Sequence, residues 1–568
     1  MTDSCDVLVV GSGAGGLATA VTAAHFGCRV TVVEKHHQLG GTSAWSGGWL
    51  WIPRNPLAIE AGICEAPDAP LEYLRSEIGN RINDPRIGAF LANGPEMVGF
   101  FRDHTAMDWI DGNRMPDFHE TPGAATGGRS VCAAPFDGRL LGEWAGKLRG
   151  PLPVASVWGM GVAAGQDMAR FFNAKSSPRD ALYAARRLGR HGLDLLRSGR
   201  GAQLVNGNAL VARLLRSALD LGVTVLVDTP ATGLIVRDGR VVGAQVAGRD
   251  IHATRGVVLA AGGFPHDVAR IARSFDHVTE DAPHRSAAPR ENTGDGLRLG
   301  ESVGGAIAGD LMDPGAWAPV SVVPDGKGGA HFPHLVDRGK PGFIAVGPDG
   351  QRFANEANSY HDFMRGLFRL CPKAPHAWMI ADARARSRFG IGAVKPFPFP
   401  DAAHLRSGYL VKARTIAELA AKIGVPADAL QRTIRRFNTH AAEGKDPDFG
   451  RGDSAYNRVL GEPRNRPNPT LGALTKAPFY AVKLVPGSLG TFDGLRTDAQ
   501  ARVLGADEMP IEGLFAVGND AASIMGGNYP SGGITLGPAM TFGYIAGLVL
   551  AGRPVTGIDD QEGSDAVL

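Results

Sequence analysis

Residues 6–16 read DVLVVGSGAGG, an apolar run of strand length that passes directly into a glycine-rich loop. A helical pattern follows from Leu17 to Phe26, and a second apolar strand, 29–33, ends at the acidic Glu34. In this order, the elements form the βαβ context of a dinucleotide-binding fold. The first glycine permits a tight turn, the second lets a pyrophosphate approach the helix N-terminus, and the third lets helix and strand pack closely.

These residues predict an α/β protein with a Rossmann-like domain. Backbone N–H groups of the loop are expected to bind the pyrophosphate, and Glu34 is expected to accept hydrogen bonds from the adenosine ribose. The residues assigned to this part of the site are Gly11, Ser12, Gly13, Ala14, Gly15, Gly16, Glu34 and Lys35.

Composition and charge are those of an ordinary globular enzyme with more than one domain. The chain has 568 residues, 44% of them apolar, and its net charge of +2 provides no general field for nucleic acid. The five cysteines form no CxxC pair, so neither a metal site nor a disulfide framework is expected. The start has no signal-peptide pattern, and no apolar stretch reaches the roughly 20 residues of a spanning helix, which predicts a cytoplasmic protein.

A second glycine-rich loop, GGTSAWSGG at 40–48, follows the second strand. A nicotinamide-binding domain needs no such loop, whereas flavoproteins use one to extend the cofactor toward its isoalloxazine ring. Together with VVEK at 32–35 and WIP at 51–53, the two loops resemble the fumarate reductase and 3-ketosteroid dehydrogenase flavoprotein superfamily. The resemblance implies FAD, held non-covalently because the loop lacks the histidine of relatives with covalent flavin. The loop residues assigned are Gly41, Thr42, Ser43, Ser46, Gly47 and Gly48.

The resemblance also implies the second half of the cofactor site. Ala231 matches a position that touches adenine, and AAGGF at 260–264 matches a strand that passes under the cofactor. Related flavoproteins place an acidic residue at Asp520 to hold ribityl hydroxyls, and the helix from Thr535 should direct its positive N-terminus at the flavin. The alternative is that these segments are sheet and core only. The residues assigned are Ala231, Ala261, Gly262, Asn519, Asp520, Thr535 and Leu536.

The expected domain order is a split FAD-binding domain with an inserted α+β cap. The FAD-binding domain covers 1–290 and 484–568, and the cap, or catalytic, domain covers 291–483. Ligand pockets favour such interfaces between domains.

Residues 349–360, DGQRFANEANSY, resemble the family's GxRFxNE segment. At the position of Tyr360, fumarate reductases carry the arginine that delivers the substrate proton, and ketosteroid dehydrogenases carry a tyrosine as base. An arginine suits a dicarboxylate, whereas a tyrosine suits a neutral, apolar substrate. Residues 480–495 also lack the histidine with which fumarate reductases bind a carboxylate. The resemblance therefore implies that Tyr360 takes a proton from a ketone; the alternative is a core hydroxyl.

The sequence GNYPSGG, 527–533, resembles the ketosteroid motif in which a tyrosine hydroxyl and a glycine N–H both bond the 3-keto oxygen. These groups are Tyr529 and Gly533. Two donors favour an enolate-like transition state, and each can contribute about 3 kcal/mol. Hydride would pass from the β carbon to FAD, which gives an α,β-unsaturated ketone. The alternative for Tyr529 is that it only closes the loop.

One segment departs from the family pattern. Ketosteroid dehydrogenases have a further tyrosine that supports the base, in a segment like 116–130, where this chain has Phe118 and His119. Either His119 replaces the missing hydroxyl or the position of the new double bond differs. A polar pocket wall is the structural alternative for His119.

The predicted function is an FAD-dependent 3-ketosteroid 1-dehydrogenase. The alternatives are a 3-ketosteroid 4-dehydrogenase, a fumarate-reductase-like reductase of an activated C=C bond, and a non-catalytic flavoprotein on a membrane surface. The expected partners are a small apolar ketone, taken to be a steroid, and an external electron acceptor such as a quinone or a dye. Nucleic acid is not an expected partner.

The segment 168–200 is basic and amphipathic. Its arginines and lysine outnumber Asp180 and Asp194 and alternate with leucines and phenylalanines. Such a segment is typical of contact with an anionic membrane surface, which would suit a lipid-soluble substrate. A solvated helical face is the alternative.

Overall fold

The computed structural model describes residues 4–163, 165–326 and 328–558, so residues 1–3 and 559–568 of the predicted FAD-binding segments lie outside the described residues. Its strands are β1 (Ser4–Val10), β2 (Val30–Val33), β3 (Trp49–Trp51), β4 (Trp109–Asp111), β5 (Ser130–Ala133), β6 (Phe136–Asp137), β7 (Gln203–Leu204), β8 (Thr224–Leu226), β9 (Ala231–Arg237), β10 (Arg240–Val246), β11 (Arg249–Leu259), β12 (Ile307–Ala308), β13 (Gly315–Val323), β14 (Ala330–Pro333), β15 (Phe343–Val346), β16 (Ala377–Ala381), β17 (Val411–Ala413), β18 (Phe479–Thr491), β19 (Gly494–Leu495), β20 (Arg502–Leu504) and β21 (Pro510–Ala516).

The α-helices of the same residues are α1 (Ala14–His25), α2 (Gly41–Trp45), α3 (Pro56–Glu60), α4 (Ala69–Ile78), α5 (Pro85–His104), α6 (Gln166–Asn173), α7 (Pro178–Ser198), α8 (Asn206–Asp220), α9 (Val268–Ser274), α10 (Asp295–Glu301), α11 (Tyr360–Leu370), α12 (Ala383–Phe389), α13 (Ala402–Arg406), α14 (Ile416–Ile423), α15 (Ala427–Glu443), α16 (Ala455–Leu460) and α17 (Leu536–Leu550). Short 3₁₀ helices cover Gly79–Asn83, Gly138–Lys147, Asp337–Gly339 and Gly518–Asp520.

The largest sheet has five parallel strands at its centre, in the order β21-β11-β1-β2-β8. β20 pairs antiparallel with β21, and the β9–β10 hairpin extends from the first half of β11. Parallel strands are covered on both faces, which accounts for the uninterrupted apolar runs of β1 and β11. Because the strands are parallel, the loops after β1, β2, β11 and β21 meet at one edge of the sheet.

A second sheet of six antiparallel strands forms the core of the cap, in the order β14-β13-β18-β16-β15 with β17 also on β18. β18 pairs with β16 through residues 480–484 and with β13 through residues 485–491. The expected domain limit between residues 483 and 484 therefore lies inside one continuous strand. The two sheets confirm the predicted fold class of a Rossmann-like domain with an α+β cap.

Helices α1 and α17 lie side by side and run in the same direction. A side-chain carbon at Gly543 would come within 2.5 Å of Gly15 O, and one at Gly547 within 2.6 Å of the Thr22 side chain. Glycine at both positions lets the two backbones approach closely. Gly15, the second residue of α1, also lies against Ala539, the fourth residue of α17. The N-terminal end of α17 therefore extends about one turn farther than that of α1.

Candidate active site

The loop between β1 and α1 exposes its backbone. Gly11 has φ +112°, and a side-chain carbon there would clash with Ala260 O. Gly13 is the N-cap of α1 and, having no side chain, cannot accept a hydrogen bond from the first N–H groups of the helix. Ala14 N donates to Ser43 Oγ (3.0 Å). At Gly13 the nearest atom to an added carbon would be Ser43 Oγ, 3.5 Å away. The helix end thus leaves room for an anion beside the first N–H groups of α1, which have no partner within the helix.

Glu34 lies directly beside this loop. Its Oε2 accepts from Ser12 N (3.2 Å) and Ser12 Oγ (2.6 Å), and its carbonyl accepts from Thr229 N (2.8 Å). The segment that ends at Ala231 is therefore next to Glu34, as the predicted adenosine end requires. The Lys35 ammonium pairs with Asp295, so in this structure it ties the site to α10.

The loop 40–48 closes over the same helix end. Ser46 Oγ donates to Ser43 O (2.7 Å), which fixes the turn after α2. Asn292 Nδ2 donates both to Thr42 Oγ1 (3.0 Å) and to Gly262 O (3.2 Å). Asn292, which the sequence did not single out, thus joins two predicted parts of the site. The remaining predicted loop residues, in α2 and the turn after it, are Gly41, Gly47 and Gly48.

Asp520 is fully buried in the 3₁₀ turn Gly518–Asp520 that follows β21, and its carboxylate contacts the segment that follows β11. Its carboxylate accepts from Ala261 N (2.5 Å) and Gly263 N (2.9 Å). Burial raises the pKa of this carboxyl to about 6, against the lowering effect of the two N–H donors. Asn519 lies against Gly263 and Gly490. The predicted pieces at 261–262 and 519–520 are therefore in contact.

The start of α17 presents a second open helix end. Its N-cap, Thr535, provides no side-chain bond to the helix, whose first residue is Leu536. Gly533 O accepts from Trp51 N (3.1 Å) and from Gly537 N (2.8 Å), whereas Gly533 N–H has no acceptor within the described residues. Gly533 has φ +102°, and an added carbon would lie 2.6 Å from Trp51 N. The start of α17 thus presents the Gly533 backbone N–H without an acceptor among the described residues.

Three of the chain's eight tyrosines meet around Phe118, whose ring would lie 3.7 Å from a side-chain carbon at Gly532, the residue before Gly533. The rings of Tyr360 and Tyr529 are 4.9 Å apart in an edge-to-face arrangement. The ring centroid of Phe118 lies 4.3 Å from that of Tyr456, 5.7 Å from that of Tyr360 and 5.9 Å from that of Tyr529. Burial raises the pKa of all three tyrosines, and the neighbouring hydroxyls add to this for Tyr360. We call Phe118, Tyr360, Tyr456 and Tyr529 the aromatic centre.

His119 lies beside this centre with both ring nitrogens occupied. Nδ1 contacts Glu77 Oε2 (2.5 Å) and Nε2 contacts Asp362 Oδ2 (2.6 Å). Burial alone would lower its pKa, but the hydrogen bonds to Asp362 and Glu77 outweigh burial and raise it to about 10. The charged ring therefore holds α4 and α11 together and leaves neither nitrogen for a substrate.

Helix α11 sets the position of both predicted catalytic tyrosines. Tyr360 is its first residue, after the N-cap Ser359. Arg365, on the same helix, donates to Asn528 Oδ1 (2.9 Å), one residue before Tyr529, and to Asp313 Oδ2 (2.6 Å). Burial would raise the pKa of Asp313, but His361 and Arg365 lower it to about 2, so this anchor is charged. The loop that carries Tyr529 is thus fixed to α11.

The sequence did not indicate Tyr456, whose ring completes the aromatic centre. Its segment, SAYNRVL at 454–460, carries only a helix start, with Ser454 Oγ accepting from Asn457 N (3.2 Å). The sequence signal that could have pointed to Tyr456 is that a chain of 568 residues has only eight tyrosines.

Comparison with known proteins places this geometry in a family. The FAD binding domain family matches residues 6–536. A 3-oxosteroid 1-dehydrogenase of Mycolicibacterium smegmatis is 40% identical, covering 96% of this chain and 97% of that protein. A 4-oxocyclohex-2-ene-1-carboxylate 5-dehydrogenase of Sinomonas cyclohexanicum is 38% identical, covering 96% of this chain and 93% of that protein.

A solved structure agrees with these relatives. The 3-ketosteroid Δ1-dehydrogenase of Sterolibacterium denitrificans, in complex with 1,4-androstadiene-3,17-dione, superimposes with a TM-score of 0.89 at 36% identity. The match covers 97% of this chain and all of that one. The chain belongs to the FAD-binding family and is an FAD-dependent oxidoreductase, which confirms the predicted superfamily, enzyme class and cofactor.

The residues of the site fit that cofactor. The open N-terminus of α1 suits a pyrophosphate, Glu34 suits a ribose, and the open N-terminus of α17 suits the electron-rich edge of a flavin. The assignment of individual residues to parts of FAD stays a prediction.

Proposed function

We propose that the protein dehydrogenates a 3-ketosteroid and forms a C1=C2 double bond next to the carbonyl. The observation that carries this proposal is the pair Tyr360 and Tyr529, whose ring centroids are 4.9 Å apart, four residues along the chain from Gly533 in the case of Tyr529. The steroid dehydrogenases among the relatives support the choice of substrate.

Each group has one task in this proposal. The Tyr529 hydroxyl and the Gly533 N–H donate to the ketone oxygen, where negative charge develops when an α proton is removed. Donors held ready for that charge lower the barrier, each by about 3 kcal/mol. Tyr360 takes the α proton. FAD, when bound, accepts hydride from the neighbouring carbon.

The walls of the centre suit a flat, apolar ring system. The ring centroid of Tyr529 lies 5.9 Å from that of Phe118 and 5.9 Å from that of Phe492. Both phenylalanines are buried. Such an apolar surface gains from burying a steroid skeleton.

A second candidate is the dehydrogenation of a small cyclohexanone. It is favoured by the 38% identical relative from Sinomonas cyclohexanicum, which acts on an oxocyclohexene carboxylate, and by Phe118 at the position of the supporting tyrosine. The same tyrosine pair would act on either ring ketone. The two candidates differ in the size and charge of the substrate.

Anaerobic mixing tests the proposal and separates the candidates. Holoenzyme mixed with a 3-ketosteroid saturated at both C1–C2 and C4–C5 should lose its visible flavin absorbance, and mass spectra should show loss of deuterium from labelled C1, the carbon that gives up hydride. Loss of label from C4 and C5 instead would favour the 4-dehydrogenase. Bleaching only by 4-oxocyclohexanecarboxylate would favour the small ketone. A protein that keeps FAD and bleaches with neither ketone would contradict both candidates.

We also propose that α7 brings the enzyme to an anionic membrane surface, where a quinone serves as electron acceptor. Among the described residues, none of the helices combines the length and the apolar character of a membrane span. Leu182, Leu193 and Leu196 are 61%, 53% and 87% exposed and share one face of α7. Exposed arginines flank that face, among them Arg186 and Arg190. Leucines beside arginines suit anionic lipid headgroups over an acyl layer.

Vesicle sedimentation tests this surface. Holoenzyme should sediment with phosphatidylserine-containing vesicles and much less with pure phosphatidylcholine. Leu196→Glu should reduce binding about tenfold, whereas Val268→Glu, at an equally exposed apolar residue on α9, should not. Equal loss in both variants, or none in either, would contradict the proposal. A cytoplasmic location stays a prediction.

A further inference from the structure

An open cavity of about 590 Å³ lies outside the residues assigned to FAD and outside the aromatic centre. It is lined by the end of α6 and the turn after it, by α12, and by the loop before β18. Four of its side chains are cations, Lys175, Arg384, Arg388 and Lys476, and none of the described residues that line it is acidic. Positive charge from three separate segments therefore surrounds one space, which we call the basic cavity.

The walls of the basic cavity are fastened to each other. Phe172 of α6 packs edge-to-face on Phe389 of α12, with 5.6 Å between the ring centroids. Arg388 Nη2 of α12 donates to Asn173 Oδ1 of α6 (3.2 Å). These contacts hold the two helices together, so the arrangement of the cations is maintained by the fold.

The positive charge of the basic cavity is only partly neutralised. Arg384 and Arg388 each pair with a carboxylate, at 3.3 Å and 3.0 Å. Within the described residues, no carboxylate forms an ion pair with Lys175 or Lys476, and the Lys175 ammonium instead donates to Ser387 Oγ (3.4 Å). Both lysines are exposed. Two positive charges are thus left for a ligand, which matches the nearly two negative charges of a phosphate monoester at neutral pH.

The other groups of the cavity favour a phosphate that carries an apolar substituent. Lysine and arginine side chains only donate hydrogen bonds, and the hydroxyls of Ser176 and Ser387 can donate as well. Donors from three segments suit the tetrahedral oxygens of a phosphate better than a flat carboxylate. The ring of Phe172 adds an apolar wall, and the buried Lys340 ammonium, 5.7 Å from the centre of that ring, adds to the positive potential.

We propose that the basic cavity binds the phosphate group of an organic phosphate ester. Two sources share this chemistry, the headgroup of a phosphatidate lipid and a soluble phosphate ester. The cavity adjoins the start of α7, so a lipid bound there would lie beside the helix that we assign to a membrane surface. The inference goes beyond the dehydrogenation and requires neither turnover nor lipid contact by α7.

Calorimetric titration of the holoenzyme tests the cavity with inorganic phosphate, glycerol 3-phosphate and dihexanoyl phosphatidate. Bound FAD keeps these probes away from the N-terminus of α1. Lys175→Gln/Lys476→Gln removes the two charges without a carboxylate partner and should weaken binding of every probe at least tenfold. Lys175→Arg/Lys476→Arg keeps both charges and should bind each probe nearly as well as wild type.

Lys373→Gln/Lys483→Gln is the matched control, since both lysines are exposed and neither lines the cavity. It should bind all three probes like wild type. An equal loss of affinity in this control would indicate a general effect of net charge and overturn the inference. Unchanged binding in Lys175→Gln/Lys476→Gln, or no binding of any probe by wild type at millimolar concentration, would also overturn it.

The same titrations distinguish the two sources of the phosphate. Tighter binding of dihexanoyl phosphatidate than of glycerol 3-phosphate, lost in Lys175→Gln/Lys476→Gln, would support a lipid headgroup. Equal affinity for the two probes would support a soluble phosphate ester. Because binding is measured without a ketone, failure of this inference and failure of the proposed dehydrogenation are separate results.

Discussion

The cofactor cradle and the aromatic centre are built on opposite principles. The cradle consists of the loops at the ends of β1, β2, β11 and β21. It offers a cofactor mainly backbone N–H groups, such as those at the uncapped start of α1 after Gly13. The aromatic centre presents side chains from four segments that are far apart in sequence. The cradle should therefore be destroyed by adding one carbon atom, and the centre by removing one oxygen atom.

Tyr360→Phe removes the oxygen that takes the proton. We expect flavin bleaching by a ketosteroid to slow about a thousandfold, within the usual range for loss of a general base. FAD should stay bound because the ring still fills its place beside Phe118. Tyr544→Phe, in the second half of α17 and packed against Phe100, is the matched control and should bleach like wild type. A Tyr360→Phe variant whose flavin bleaches as fast as that of wild type would exclude Tyr360 as the base.

Tyr529→Phe removes one of two donors to the ketone oxygen. The rate of bleaching should fall about a hundredfold, since each such donor contributes about 3 kcal/mol. The effect should appear in the maximal rate more than in ketone affinity, because the donor acts mainly on the developing charge. An unchanged rate with weaker binding would assign Tyr529 to ground-state binding alone.

Gly13→Ala adds a carbon where the protein itself has space. Its φ of −70° suits alanine, and the nearest atom to the added carbon is 3.5 Å away, so the apoprotein should fold. FAD affinity should fall about tenfold or more if the pyrophosphate lies against this glycine. Gly99→Ala, on α5 with nothing near the added carbon, is the control. Fluorescence titration of apoprotein with FAD measures both, and equal affinities would contradict the predicted cradle.

The pH dependence of the wild-type reaction sharpens the comparison. Burial raises the pKa of Tyr360, so the phenolate is scarce at neutral pH. The bleaching rate should therefore rise about tenfold per pH unit above neutrality until Tyr360 titrates. Stopped-flow mixing over this range measures it. A flat profile would indicate that no phenol loses its proton in the rate-limiting step.

The smallest expected effect concerns Asp520 in the apoprotein. Its pKa in the folded state is raised to about 6 by burial, so its contribution to stability is present at low pH and is lost as pH rises from about 4 through 6. Asp520→Asn removes this dependence. The urea midpoint of the wild-type apoprotein should therefore fall relative to that of the variant between these pH values. Parallel midpoints would show that the carboxyl is not held in this environment.

The sequence predicted the cradle better than the centre for a physical reason. The strand, loop and helix at 6–26 follow from local patterning, and parallel strands necessarily bring Glu34, Ala261 and Asp520 to one edge. Tyr360 and Tyr529 were also identified, but through resemblance to a family motif rather than through their contacts.

The partners of other residues depend on packing that no local pattern contains. Lys35 pairs with Asp295, and His119 is held between Glu77 and Asp362, more than two hundred residues apart. Tyr456 reaches the aromatic centre from a separate cap segment. Their importance follows from burial and neighbours, which only the folded chain provides.

A crystal structure of the holoenzyme with a bound 3-ketosteroid tests the central claim most directly. The carbonyl oxygen should lie about 2.7–3.1 Å from both Tyr529 Oη and Gly533 N, with Tyr360 Oη directed at the adjacent carbon. A carbonyl bound elsewhere, or either phenol turned away from the steroid ring, would contradict the account.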